Sequence, residues 1–333
     1  MWYPRHECGL RIALFFSAAT AAGAFGGLLA RGIGAMAGVA GKSGWAWIFI
    51  IEGLLTLVVA AVAYWCINDY PATAKFLTPV EKVEVERRLK ADRSSLADDF
   101  NLKYFFDALK DWKIYVNMLI TMGIYTPLYS ISLFLPTIIK VMGNGQYTPE
   151  MAQLLSVPPY VVACFFTISA GFLADRMKQR GIFMIVFLLV AIIGWSLLLS
   201  SGAPTQQYVG CFFAVSGIYP LVPLGVAWTG NNIGGSLKRG VGIAMHVGWG
   251  NLGGCIAAFM YLAKDSPRFQ PGHATLIGFM SMSLVLSLFM TIYFRRENAR
   301  RDAAYKAPEL YTEEEKLLER ENGDNATFFR YTI

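Results

Sequence analysis

Charged side chains vanish from eight stretches of the chain: Ile12–Ala30, Ala46–Ile67, Ile114–Ile139, Met151–Ala174, Ile182–Gln207, Tyr208–Leu237, Val241–Ala263 and Ala274–Phe294. Glu52 is the one Asp, Glu, Lys or Arg within them. A helix needs about 20 apolar residues to cross a bilayer. The stretches are rich in Gly, Ala and Ser and lack the alternation of barrel strands. The pattern therefore predicts an all-α integral membrane bundle with eight transmembrane helices. Small residues four apart (Gly23 and Gly27, Gly230 and Gly234, Gly250 and Gly254) suit close helix packing. Pro127, Pro158, Pro159, Pro220 and Pro223 lie inside spans, where proline kinks a helix.

Between the second and third spans runs a long charged loop, Cys66–Lys113. Its Thr78-Pro79-Val80-Glu81 reads as a helix start: an N-cap, a proline at the first helical position and a capping-box glutamate. Val80, Val83 and Leu89 predict a thin apolar stripe on that helix, through Glu81–Ala97. A second acidic helix is predicted near Thr312–Glu321. The organisation expected is 1–67 with two spans, 68–113 as central loop, 114–294 with six spans and 295–333 as tail.

Composition supports the membrane reading. Of 333 residues, 55% are hydrophobic and 16% charged, with mean hydropathy +0.43. A soluble domain carries about 25% charge. The net charge of +6 is a topology signal and not a nucleic-acid one. If the spans alternate, 24 of the 29 Lys and Arg fall on one side. Arg31, Lys42, Lys140, Lys264 and Arg268 take the other. Basic loops stay in the cytoplasm, so both termini are expected there. The five cysteines show no C-x-x-C spacing and read as small buried hydrophobes. No Walker, H-E-x-x-H or G-x-S-x-G pattern occurs, so neither an enzyme nor a cofactor or metal site is expected.

Several residues invite a transport chemistry, each beside a structural alternative. Glu52 in a span would be costly unless paired or protonated, as a proton-coupling group must be; the alternative is a carboxylate bonding neighbouring helices. His246 could titrate near neutrality or meet an anion, and Asn251, five residues on, could bind a carboxylate or amide. They could equally be interhelical packing groups. Tyr125 and Tyr129 lie i, i+4 about Pro127 and share one face, as substrate contacts or as core.

Further motifs carry a resemblance. Trp2-Tyr3-Pro4-Arg5-His6-Glu7 with Arg11, Gly44-Trp45-Ala46-Trp47 through Gly53, and Asp69-Tyr70-Pro71 resemble segments of the major facilitator superfamily. So do Ser132-Leu133-Phe134-Leu135-Pro136, Pro158-Pro159-Tyr160, Trp228-Thr229-Gly230-Asn231-Asn232 and Phe329-Arg330-Tyr331. More narrowly, they resemble the fungal allantoate and nicotinate permease group of the anion:cation symporter family. Gly171, Asp175, Arg176 and Arg180 resemble the superfamily's gating loop, with Lys178 and Gln179 departing from it.

The resemblance implies a twelve-helix fold of which this sequence holds helices five to twelve. It implies proton-coupled uptake of a small organic anion such as nicotinate or allantoate, across a plasma membrane. Tyr125, Tyr129, His246 and Asn251 would bind substrate, Glu52 would couple protons, and Asn231 and Asn232 would serve as caps and gate contacts. The expected partners are the anion, the proton and the lipid bilayer, with no nucleic acid. A monomer is expected once the missing helices are supplied, and the 333 residues alone are expected not to transport. The alternative is a transport-incompetent fragment that assembles with or regulates a full-length relative.

Overall fold

The structure is a computed structural model that describes residues 2–3, 7–93, 101–143, 146–200, 203–304, 312, 315, 319 and 321–333. Among these residues ten α-helices and no strands occur. They are α1 (Cys8–Gly34), α2 (Gly44–Cys66), α3 (Pro79–Arg93), α4 (Leu102–Lys110), α5 (Trp112–Met142), α6 (Pro149–Met177), α7 (Gly181–Leu199), α8 (Pro204–Asn231), α9 (Ser236–Ala257) and α10 (Gln270–Ala304).

Seven of them are long and apolar enough to cross a membrane: α1, α2, α5, α6, α7, α8 and α10. The eighth expected span, Val241–Ala263, is a helix with different bounds and is not among the seven. It starts earlier, at Ser236, so it takes in Lys238 and Arg239, and it stops at Ala257. The expected Ile182–Gln207 span also divides. α7 ends at Leu199 with an extended Ser200, and Pro204 opens α8, where a missing N–H costs nothing. Pro127 and Pro136 of α5, Pro158 and Pro159 of α6, and Pro220 and Pro223 of α8 lie inside helices that continue past them.

The chain forms two compact units, one of Met1–Pro4 with Ala22–Ser94 and one of Arg5–Ala21 with Ser95–Ile333. In the first, α1 and α2 are joined by a turn in which Gly38 and Gly41 take positive φ of 93° and 69°, the region glycine favours. Trp47 closes this turn by donating from Nε1 to the Val39 carbonyl at 3.2 Å. No residue of α2 is buried. Before α3, Thr78 and Glu81 form the expected capping box, with both backbone N–H groups accepted by the partner's side chain. The apolar stripe on α3 has no packing role: Val80 and Val83 are exposed. Exposed ion pairs run along its surface, in which Arg87 and then Arg88 hydrogen-bond Glu84 and pull its carboxyl down to about 2.

The second unit is built around α5 and α8, the most enclosed helices, which α6, α7, α9 and α10 surround. Helices α7 and α8 cross at glycine: a Cβ on Gly194 would lie 2.2 Å from the Ala214 nitrogen, and one on Gly217 would lie 2.4 Å from that of Ala191. Without hydrophobic force in lipid, such close approach is what packs membrane helices. The predicted helix near Thr312–Glu321 falls mostly outside the described residues; within it, Thr312 and Glu315 cap each other.

Candidate functional site

Helix α5 meets α9 along the line Gly250, Gly253 and Gly254. A Cβ at these positions would lie 2.5 Å from Thr121 Cγ2, 2.6 Å from Thr126 Oγ1 and 3.3 Å from Tyr129 Cδ2. This small-residue seam lets polar side chains of α5 and α9 reach one another. Tyr129 donates to Asn251 Oδ1 at 2.5 Å, and the Tyr125 ring stands edge-on to Tyr129 with centroids 6.3 Å apart. Tyr125 is buried, Tyr129 half-buried and Asn251 exposed, so the patch grades from interior to surface.

His246 is separate from that patch. It is buried one and a half turns away, between the hydroxyls of Thr121 on α5 and Thr229 on α8, at 2.8 and 3.1 Å from Nδ1. Thr229 also donates to Asn117 Oδ1 at 3.4 Å, and Thr121 donates to the Asn117 carbonyl at 2.8 Å. The histidine is thus embedded in neutral hydroxyl and amide groups. Of the four residues expected to bind substrate, three gather at the seam and the fourth anchors a three-helix junction. Asn117 and Thr121 carry no signal in the sequence, because a polar side chain inside an apolar helix has no evident partner until its neighbours are known, and Thr229 enters there only within the Trp228–Asn232 motif.

Glu52 lies in the other compact unit, on α2, with its side chain exposed. Its backbone carbonyl accepts from Thr56.

The gating-loop residues divide. Asp175 pairs with Arg180 at 2.6 Å and accepts from the Leu10 N–H, in the first turn of α1, at 2.7 Å. A carboxylate there meets free N–H groups and the positive end of the helix dipole. Arg180 is buried and also donates to the Ala227 carbonyl at 3.0 Å. Gly171 permits the approach of α1, since a Cβ on it would lie 2.4 Å from that of Ala13. Arg176 is exposed and takes no part in this network.

The most elaborate constellation was not anticipated. Residues 323–333 fold back onto the bundle end formed by the starts of α5 and α9 and the ends of α8 and α10. Asp324 accepts from Lys113 and Lys238, both at 2.6 Å, and Asp111 pairs with the same lysines at 3.4 and 2.7 Å. The four charges form a closed ring, and the side chains are almost wholly buried. Burial pushes the Asp324 carboxyl up, but Lys113 and Lys238 outweigh it and hold the group below its ordinary value.

Arg301 of α10 binds the tail backbone, donating to the carbonyls of Asp324, Ala326 and Phe329. Tyr331 stacks on Phe294 at 4.6 Å, and Thr332 exchanges hydrogen bonds with the Asn232 side chain. Asn232 is therefore a tail clamp. The Arg180 N–H donates to the Ile333 carbonyl, which brings the chain's end to the Asp175 latch. Gly234 permits the tail's approach: a Cβ there would lie 2.3 Å from the Asp324 nitrogen.

Comparison with known proteins agrees with this architecture. The profile of the Major Facilitator Superfamily matches residues 1–258. An uncharacterized transporter of Schizosaccharomyces pombe is 32% identical over 336 residues, covering 100% of this chain and 65% of its own length. The MFS transporter prlL of a fungal species is 33% identical over 304 residues, covering 89% and 60%. The major facilitator-type transporter hxnP of Emericella nidulans is 29% identical over 307 residues, covering 91% and 61%. The chain thus spans less than two thirds of the length of these relatives. Among solved structures, the proton:xylose symporter XylE bound to 6-bromo-6-deoxy-D-glucose aligns with a TM-score of 0.60 at 16% identity, over 88% of this chain and 65% of that one. That likeness is one of fold.

Proposed function

The chain belongs to the Major Facilitator Superfamily, and on that premise we propose that it acts within a secondary transporter that takes up a small organic anion with protons. The family consists of membrane transporters and not enzymes, and this chain is a multi-pass integral membrane protein. The finer reading is ours: an anion of the nicotinate or allantoate class, a plasma-membrane location, cytoplasmic termini and α9 as the eighth span.

The observation that carries it is the seam of α5 and α9. The half-buried Tyr129 ring and the exposed Asn251 amide set a ring face beside hydrogen-bonding groups, with the buried Tyr125 edge-on behind them. A planar heterocyclic acid needs both: a ring face for its own ring, and donors for its carboxylate. In this reading His246, held by Thr121 and Thr229 one and a half turns away, orients α9, and Glu52 carries the coupled proton. The Asp175–Arg180 latch and the tail cluster hold one end of the helices together, as alternation of access requires one end closed while the other opens.

The test is uptake of labelled nicotinate and allantoate by the full-length transporter in yeast lacking such carriers. Saturable uptake that rises as the medium is acidified is expected, with Asn251→Ala raising KM. Uptake of neither anion, or uptake indifferent to Asn251 and Tyr129, would remove this assignment. Glu52→Gln should abolish the pH dependence while leaving binding intact.

A further inference from the structure

Helix α4 was not foreseen in the sequence, and its nine residues are sharply two-sided. Leu102, Phe105, Phe106 and Leu109 fall at i, i+3, i+4 and i+7, which at about 100° per residue makes a single stripe. All four are exposed, Leu102 by 62% and Phe106 by 54%. The opposite face is wet: Lys103, Tyr104, Asp107 and Lys110 line an open cavity of about 450 Å³. Ala108, at the edge between these faces, is fully buried against Ile114, Met118 and Ile233. α4 is therefore docked to the bundle through Ala108 and tied to the tail by the Lys103–Glu321 pair at 3.1 Å, while Leu102 and Phe106, its most exposed apolar side chains, point away.

The stripe continues the outer surface of a membrane span. Only Asp111, which caps both helices, separates α4 from α5. On α5, Trp112, Tyr115 and Leu119 follow at i, i+3 and i+7, each exposed by 41 to 45%. Tyr115 donates to the Leu109 carbonyl at 2.7 Å and so ties the two helices' outer faces together. Trp112 packs edge-on against Tyr293 of α10. Aromatic residues with a polar handle gather at the level of lipid headgroups, and this is where the span begins.

We propose that α4 is an interfacial helix, lying in the bilayer surface on the tail side with Leu102, Phe105, Phe106 and Leu109 among the acyl chains. Lys110 sits at one flank of the stripe, where a long basic side chain reaches headgroup phosphates from an apolar bed, while Lys103 beside it pairs with Glu321 of the tail at 3.1 Å. A lipid surface fits better than a protein partner because the apolar stripe is unbroken from α4 onto the exposed face of α5, a helix long and apolar enough to cross a membrane. The helix would fix the depth at which α5 enters the membrane, and with it the Lys113 ring.

The experiment places the photoreactive residue p-benzoylphenylalanine at Phe106, and separately at Phe105, in the whole protein in nanodiscs of phosphatidylcholine with phosphatidylglycerol. The same residue at Lys82 of α3 serves as the aqueous control. Illumination and mass spectrometry should give phospholipid adducts at 105 and 106, severalfold above Lys82. Cross-links from both positions to another segment of the chain or to a second copy would overturn the proposal. So would lipid adducts no more abundant than at Lys82. Retention of the Tm at each substituted position shows that the fold is intact, and either position alone suffices for the reading.

Discussion

Helices α5 and α9 meet polar groups at two levels, and the two are built differently. At the tail-side end, Lys113 and Lys238 are charged and buried, and two carboxylates match them one for one. At the seam, Tyr129 and Asn251 are joined by one hydrogen bond, and beside it the hydroxyls of Thr121 and Thr229 hold His246. A buried charge without a partner is far more costly than a buried hydroxyl without one, so the end tolerates one arrangement and the seam tolerates several. The end is suited to holding helices in register. The seam is suited to exchanging its internal hydrogen bonds for those of a ligand.

The largest effect that tests this difference is expected from Asp324→Asn. It leaves two buried ammonium groups with one carboxylate, at a cost of about 3–5 kcal/mol. Thermal unfolding of the purified protein should show a loss much greater than any seam variant gives; parity between them would erase the distinction. The same residue sets a pH dependence. Its carboxyl is held below the ordinary value, so its stabilisation is complete above the unfolded value of about 4 and is lost as pH falls through the folded one. The stability gap between the native protein and Asp324→Asn should stay constant from about pH 5 to 8 and narrow in more acid solution. A gap that widens on acidification would reverse the assigned sign.

Gly253→Leu comes next. A Cβ there already meets Thr126 Oγ1 at 2.6 Å, and overpacking of this kind costs about 1–3 kcal/mol. Uptake should fall along with stability, because the variant parts α5 from α9. Thr121→Val is expected to be milder, removing one hydroxyl from His246 at about 1–2 kcal/mol. Its signature is a change in uptake that His246→Gln reproduces and does not add to. Additive losses in the double variant would show that the two act independently.

Tyr129→Phe should be smallest in stability, about 1 kcal/mol or less, since its partner Asn251 is exposed. KM for the anion should nevertheless rise. A Tyr129→Phe protein that is badly destabilised yet transports normally would make the seam structural and leave the site elsewhere.

The sequence by itself determined the membrane class, because lipid imposes a signal along the chain that needs no partner: long stretches without charge. It placed most helices to within a few residues and located the capping box at Thr78. Through the resemblance it also set Asp175 and Arg180 in one motif, and they pair across the five positions that separate them. It misplaced the break before Pro204 and the bounds of α9, whose glycines and Lys238 blur the hydropathy signal. It set the amphipathic helix on Val80 and Val83, whereas the two-sided helix is α4, too short to stand out beside a charged loop.

Only the tertiary structure decided which polar residues meet. Lys113 and Asp324 are 211 positions apart, Tyr129 and Asn251 are 122 apart, and Thr121 and His246 are 125 apart. Hydropathy reports whether a residue prefers water or lipid. It says nothing of which helix will present the matching donor or charge. That pairing is fixed by how closely backbones approach, through Gly234 at the tail and Gly250, Gly253 and Gly254 at the seam, and such approach exists only once the helices have packed.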